Sequence, residues 1–235
     1  MRFDAALSPA EIARLPKRDL SQTTCVVFDV LRATSSMITA LAGGATEIHP
    51  VQTIDEALEL RKEYPRAILG GERNGEPIDG FDVGNSPFEY STMSGAKVIT
   101  TTTNGTIALC ACDHALRVLV GAILNIGALA EELRWDEPDE VLLVCAGTFE
   151  EFALEDAFAA GLLVAEFPNA ELTDAARAAL AVAKSNGTPL EALRAARNGK
   201  ALVANGRGAE VEWCAQVSRY NIVGLMEAGI IRPLR

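Results

Sequence analysis

The sequence predicts an α/β fold whose largely parallel sheet is covered by helices on both faces. Three observations carry this expectation. Short β-branched apolar runs alternate with amphipathic stretches, helix-start signals open several of those stretches, and glycine-rich polar clusters follow the apolar runs. In open α/β sheets ligands bind beyond the carboxyl ends of strands, so those clusters are where functional residues should be sought.

Taken in order, Cys25 to Val30 is the first predicted strand, running into Leu31-Arg32-Ala33-Thr34-Ser35-Ser36. Glu47 to Val51 is the next, and Thr53 with Glu56 forms a capping box that opens a helix from Ile54 to Tyr64. Ala67 to Leu69 predicts a short strand before Gly70-Gly71-Glu72-Arg73-Asn74-Gly75. Ser86-Pro87 offers a cap with proline at the first helical position. Lys97 to Thr101 reads as a strand, Ile107 to Cys112 as a helix, and Val118 to Gly121 and Val141 to Ala146 as strands. Leu154 to Phe167, Thr173 to Asn186 and Leu190 to Asn198 are almost all helix, the last opened by Thr188-Pro189. This late block is expected to form a flank or lid. Ile222 to Leu225 is the final predicted strand.

At 235 residues and 49% hydrophobic content the chain can fill a large core. The net charge of −11 repels polyanions and argues against nucleic acid as a partner, so a small anionic substrate needs local cations. Five cysteines, an odd number set mostly in apolar runs, point to buried thiols in a reducing compartment. The first twenty residues contain no apolar core of a signal peptide and no run reaches membrane length, which predicts a cytoplasmic protein without a membrane partner.

The segment Thr100-Thr101-Thr102-Thr103-Asn104-Gly105-Thr106 joins a predicted strand to a predicted helix. Hydroxyls and free backbone N–H groups converge at such a junction, and the helix dipole adds partial positive charge, so a phosphate fits there. Asp29 sits at an apolar strand end, where a carboxylate needs a metal, an arginine or backbone donors, and Arg32 can clamp a phosphate through two N–H groups. Glu72 and Arg73 lie between glycines, and Asp82 precedes the Ser86 cap as an oxygen donor suited to magnesium. Glu155 and Asp156 open a helix after Gly147-Thr148, and Arg207 stands between Gly206 and Gly208 as an anion contact.

Absences narrow the chemistry. No cysteine has an arginine six positions later, Asp29 lacks a second aspartate two residues on, and His49 and His114 are the only histidines. Neither nucleophile-elbow nor P-loop spacing occurs. Carboxylates, arginines, hydroxyls and magnesium are left to carry a reaction.

Four fragments in order resemble the 2-phosphosulfolactate phosphatase family: Phe28-Asp29-Val30-Leu31-Arg32-Ala33-Thr34, Gly70 to Gly75, Gly80-Phe81-Asp82-Val83-Gly84-Asn85-Ser86-Pro87 and Thr101 to Thr106. Leu154-Glu155-Asp156 to Gly161 and Gly206-Arg207-Gly208 extend the resemblance over most of the chain, while Glu210 to Val217 is looser. The resemblance implies a three-layer α/β/α fold with a largely parallel or mixed sheet, residues 1–235 forming one phosphatase domain with 154–198 as helical flank. It also implies a magnesium-dependent phosphatase converting (2R)-2-phospho-3-sulfolactate to 3-sulfolactate on the route to coenzyme M. On this reading Asp29, Arg32 and Glu72 are catalytic, and Arg73, Thr102, Thr103, Asn104, Gly105, Thr106 and Arg207 bind substrate. Asp29, Asp82, Glu155 and Asp156 are the candidate magnesium ligands. Two alternatives stay open: a magnesium-dependent phosphatase of another small phosphorylated acid, and a non-catalytic binder of phosphorylated metabolites. The alanine-rich helices offer a face to a twin subunit in a homodimer.

Overall fold

The computed structural model describes residues 1–234, whose strands form one mixed sheet. The strands are β1 (Arg2–Ala6), β2 (Thr23–Phe28), β3 (Glu47–Pro50), β4 (Ile68–Arg73), β5 (Glu76–Pro77), β6 (Lys97–Thr101), β7 (Arg117–Gly121), β8 (Glu140–Cys145), β9 (Glu171–Leu172), β10 (Gly224–Glu227) and β11 (Ile230–Pro233). The helices are α1 (Pro9–Ile12), α2 (Ala33–Ala42), α3 (Ile54–Glu63), α4 (Gly105–Ala111), α5 (Ile126–Asp136), α6 (Leu154–Ala165), α7 (Asp174–Ser185), α8 (Pro189–Ala195), α9 (Arg197–Ala204) and α10 (Gly208–Cys214). Among the described residues no helix is long and apolar enough to cross a membrane.

The sheet order is β5-β4-β6-β3-β11-β10-β7-β2-β8-β1-β9. Parallel pairing joins β4, β6 and β3 into one block and β7, β2, β8, β1 and β9 into another. The hairpin β10–β11 is wedged between them, antiparallel to β7 on one side and β3 on the other. Alternation along the central strands builds the three layers. In β2, Val26 and Phe28 enter the core under α5, α6 and α7, whereas Cys25 and Val27 enter the core around α1, α2 and α4; β8 divides the same way between Leu143 and Leu142.

The two blocks also meet over the site. Five inter-strand steps separate β6 from β2, about 24 Å in a flat sheet at roughly 4.8 Å per step. Yet a methyl group on Gly105, four residues past β6, would lie 2.6 Å from Oδ2 of Asp29, the residue after β2. The sheet therefore curls. Helix α2 fills the enclosed space, with every residue from Ala33 to Leu41 buried. Its hydroxyls are satisfied internally: Ser35 Oγ donates to Val30 O at 2.8 Å, Ser36 Oγ to Asn85 O at 2.9 Å and Thr39 Oγ1 to Ser35 O at 2.8 Å.

Several elements depart from expectation. The strand predicted to end at Leu69 continues through Glu72 and Arg73, because Gly71, at φ 140°, brings the β4 backbone so close to β6 that a Cβ would sit 2.0 Å from Thr101 O. Ser86-Pro87 opens only a short 3₁₀ turn, Pro87–Tyr90, which closes as the Tyr90 hydroxyl donates to Gly84 O at 2.7 Å. The helix expected from Leu190 to Asn198 is two, α8 and α9, broken at Ala196 in extended conformation. The late helical block is a packed layer as well as a flank, since Ala157, Phe158, Ala159 and Ala160 of α6 are fully buried. Strands β1 and β11 and helices α2, α5 and α10 add to what the sequence pattern suggested.

Candidate active site

Four polar strand exits, after β2, β4, β6 and β8, converge where the sheet curls. Asp29 follows β2 directly; its Oδ1 accepts from the Ala33 N–H at 3.2 Å, the first turn of α2. Its backbone is pinned by Thr34, whose hydroxyl donates to Asp29 O at 2.9 Å. Oδ2 lies against Gly105 and takes no hydrogen bond among the described residues. Burial is the main force that pushes the Asp29 carboxyl up to about 7, reinforced by the charges of Glu72 and Glu155 and opposed by the Ala33 N–H and by Arg32. An acid poised there can hold or release a proton near neutrality.

Glu72 ties two loops together. Oε1 accepts from Thr103 N at 2.7 Å, and Oε2 from Gly75 N at 2.6 Å and Thr103 Oγ1 at 3.1 Å. Asp156 does the same for two strand ends, accepting from Val30 N at 2.8 Å and Gly147 N at 3.0 Å. Burial, then the charges of Glu155 and Asp29, raise its pKa well above the usual carboxylate range. Glu155 beside it accepts from Asn198 Nδ2 at 2.5 Å, and burial again raises its pKa.

Cations enter from two helix starts. Arg32, buried before α2, donates to Glu210 Oε2 at 2.6 Å and to Gly75 O at 3.2 Å. Arg207, before α10, donates to Gly75 O at 2.8 Å and Glu76 Oε2 at 3.2 Å.

These groups surround a cavity of about 220 Å³. Of the residues expected from sequence, Asp29, Arg32, Glu72, Thr103, Asn104 and Arg207 line it. Others are near but turned to other work. Thr102 and Thr106 cap each other, each backbone N–H donating to the other's hydroxyl at 3.0 and 3.1 Å, so their oxygens stabilise the turn. Gly105 packs on Asp29, while Glu155 and Asp156 sit outside the lining.

The structure does not bring Arg73 or Asp82 into the cavity. Arg73 donates to Thr101 Oγ1 at 2.7 Å, Glu72 O at 2.8 Å and Gln52 O at 3.1 Å; the extra length of β4 sends it there. Asp82 accepts from Arg61 Nη1 and Leu69 N, both at 2.8 Å, as a loop clamp. Sequence reasoning missed Asn198, Asn205, Thr148 as a lining group, and Glu210 as the partner of Arg32. Glu210 stands three residues after Arg207, a spacing that sets Arg207 at the N-cap and Glu210 in the first turn of α10.

Magnesium takes oxygen donors, commonly one or two carboxylates completed by water and substrate phosphate. Among the described residues no three or more of His, Cys, Asp and Glu are grouped to cage a metal. Glu72 and Asp156 have both carboxylate oxygens occupied by donors, whereas Asp29 keeps one free in the cavity wall. The donor set fits a cation anchored on Asp29 and completed by an anionic ligand.

The chain is similar to known proteins over most of its length. Residues 10–229 match the family described as 2-phosphosulpholactate phosphatase. Proteins named "Probable 2-phosphosulfolactate phosphatase" are similar along nearly their whole length. That of Carboxydothermus hydrogenoformans is 38% identical over 95% of this chain and 92% of its own. That of Deinococcus radiodurans is 39% identical over 87% of this chain and 88% of its own. That of Thermotoga petrophila is 38% identical over 94% and 96%. The chain belongs to the 2-phosphosulfolactate phosphatase family.

Proposed function

We propose that this protein is a magnesium-dependent phosphatase that hydrolyses (2R)-2-phospho-3-sulfolactate to 3-sulfolactate and inorganic phosphate. The observation that carries this reading is Asp29, a carboxylate with one oxygen free of hydrogen bonds in the wall of a cavity that also presents Arg32 and Arg207. A carboxylate beside a bound anion repels it unless a metal stands between them, so Asp29 in one wall with Arg32 and Arg207 favours metal-assisted phosphoryl chemistry over anion binding by arginines alone. The cavity is below the roughly 300–1,000 Å³ of drug-sized sites and suits a small acid.

Asp29 would anchor magnesium, which when bound supplies positive charge to the phosphoryl oxygens. Arg32 meets the same oxygens as charge develops, its guanidinium held rigid by Glu210 and Gly75 O. Arg207 is the cation for the second acidic group of the substrate. Glu72 keeps Thr103 N and Gly75 N fixed, holding the Thr103–Asn104 turn and the β4–β5 turn at a set separation. The attacking oxygen is that of water, taken up either directly or through an intermediate on Asp29, and the ester oxygen leaves with a proton as the sulfolactate hydroxyl. Phosphate release from 2-phosphosulfolactate, phospholactate and phosphoglycolate, each with magnesium and with EDTA, tests the proposal. Release that needs magnesium and favours the sulfonate is expected; release from none of the three contradicts it.

A further inference from the structure

The loop after β8 carries a residue that folding alone does not explain. Thr148 and Glu151 exchange backbone hydrogen bonds, Thr148 N to Glu151 O at 2.9 Å and Glu151 N to Thr148 O at 3.0 Å. Phe149 and Glu150 form the two-residue tip. Two-residue turns that need positive φ at the first central position favour glycine there. Phe149 adopts φ 54°, the one aromatic among the non-glycine residues with positive φ in the described chain. The residue is 56% exposed and joins none of the hydrophobic clusters. Both the backbone and the exposed ring therefore work against stability, and such outliers point to function.

The base of the turn is held firmly. Asn198 Nδ2 donates to Thr148 Oγ1 at 2.6 Å and Arg197 Nη2 to Thr148 O at 3.1 Å, with Arg197 also paired to Glu151. Asn104 Nδ2 reaches Gly147 O at 3.0 Å. On this fixed base Phe149 stands in the wall of the Asp29 cavity, which Leu31 and Leu202 share as apolar neighbours.

We propose that Phe149 is a specificity-determining residue, whose ring covers the carbon skeleton of a small phosphorylated acid at the cavity rim and excludes bulkier phosphate esters. The inference rests on the phosphatase reading. The polar wall supplies cations and N–H groups for the anionic ends of such a molecule, and only its short carbon chain is left to meet an apolar surface. A ring carried over that chain by the anchored turn acts as a size filter.

The test compares wild type with Phe149→Gly and Phe149→Leu, measuring kcat and KM for 2-phosphosulfolactate and for 4-nitrophenyl phosphate, together with the thermal unfolding midpoint. Glycine suits the turn, so the variant should unfold at the wild-type temperature or above. Its preference for the small acid over the aryl ester should fall about tenfold or more through KM, with leucine restoring part of it. An unchanged preference in a folded Phe149→Gly protein overturns the inference and leaves the phosphatase reading standing. If wild type releases phosphate from neither ester, that reading fails instead, and Phe149→Trp decides the contact: a shift in tryptophan emission on adding phospholactate supports it, and constant emission overturns it.

Discussion

Arg32 and Arg207 donate to the same acceptor, the carbonyl oxygen of Gly75, at 3.2 and 2.8 Å. One arginine precedes α2 and the other α10, so the tip between β4 and β5 fixes the spacing of two cations drawn from distant parts of the chain. Each is further held by an acid, Glu210 or Glu76. Two guanidinium groups at a fixed separation suit a ligand with two anionic ends.

Arg207→Ala should therefore act on selectivity. The kcat/KM for 2-phosphosulfolactate should fall by about tenfold to a hundredfold, the range expected for losing one charge-assisted contact, while phosphoglycolate is affected much less. Steady-state kinetics on both esters checks this; equal losses would remove Arg207 from recognition of the second acid.

Glu210→Ala leaves the buried Arg32 charge without its partner, and breaking such a pair costs about 3–5 kcal/mol. Glu210→Gln keeps an acceptor and should lose less. Denaturant unfolding of the two variants gives the order directly.

Gly105→Ala should damage both stability and turnover. The new methyl would stand 2.6 Å from Ala33 Cβ and from Asp29 Oδ2, and overpacking of this kind costs about 1–3 kcal/mol. A folded variant with intact activity would show that Asp29 is not held by this contact.

Glu47 carries a separate prediction about pH. Lys97 first, then Arg232, hold its carboxyl down to about 2, with Nζ at 2.7 Å and Nη2 at 2.8 Å from its oxygens. It thereby joins β3 to β6 and to the inserted strand β11. The folded pKa lies below the ordinary 4.5, so the stabilisation is complete above that pH and is lost as pH falls from 4.5 towards 2. The gap in unfolding midpoint between wild type and Glu47→Gln should shrink as pH falls below about 4.5.

The sequence made the central strands and part of the candidate cavity lining visible, for physical reasons that differ by residue. Asp29 stood out because a carboxylate at an apolar strand end must be compensated, and it occupies the cavity wall. In sequence Gly70-Gly71 resembles a chain break that sets Arg73 in a turn; Gly71 instead admits the β6 backbone and Gly70 the Tyr90 hydroxyl, and the strand runs on. Helix α2 was hidden because it is buried on every side, so it has no polar face to generate a helical period. Thr102 and Thr106 were legible as a helix start, but their spacing lets each satisfy the other, which no linear pattern distinguishes from anion binding. Glu210 and Asn198 act across the chain on Arg32 and Glu155, and pairings of that range leave no local trace.

The most direct test of the account is the pH dependence of kcat/KM for 2-phosphosulfolactate, in wild type and Asp29→Asn, at several magnesium concentrations. With Asp29 pushed up to about 7, wild-type activity should rise as the carboxyl ionises through neutrality, and added magnesium, competing with the proton, should move that limb to lower pH. Asp29→Asn should be folded and without measurable turnover. A variant with wild-type activity, or a limb that magnesium does not move, would contradict the assignment of Asp29 as the group that anchors the metal.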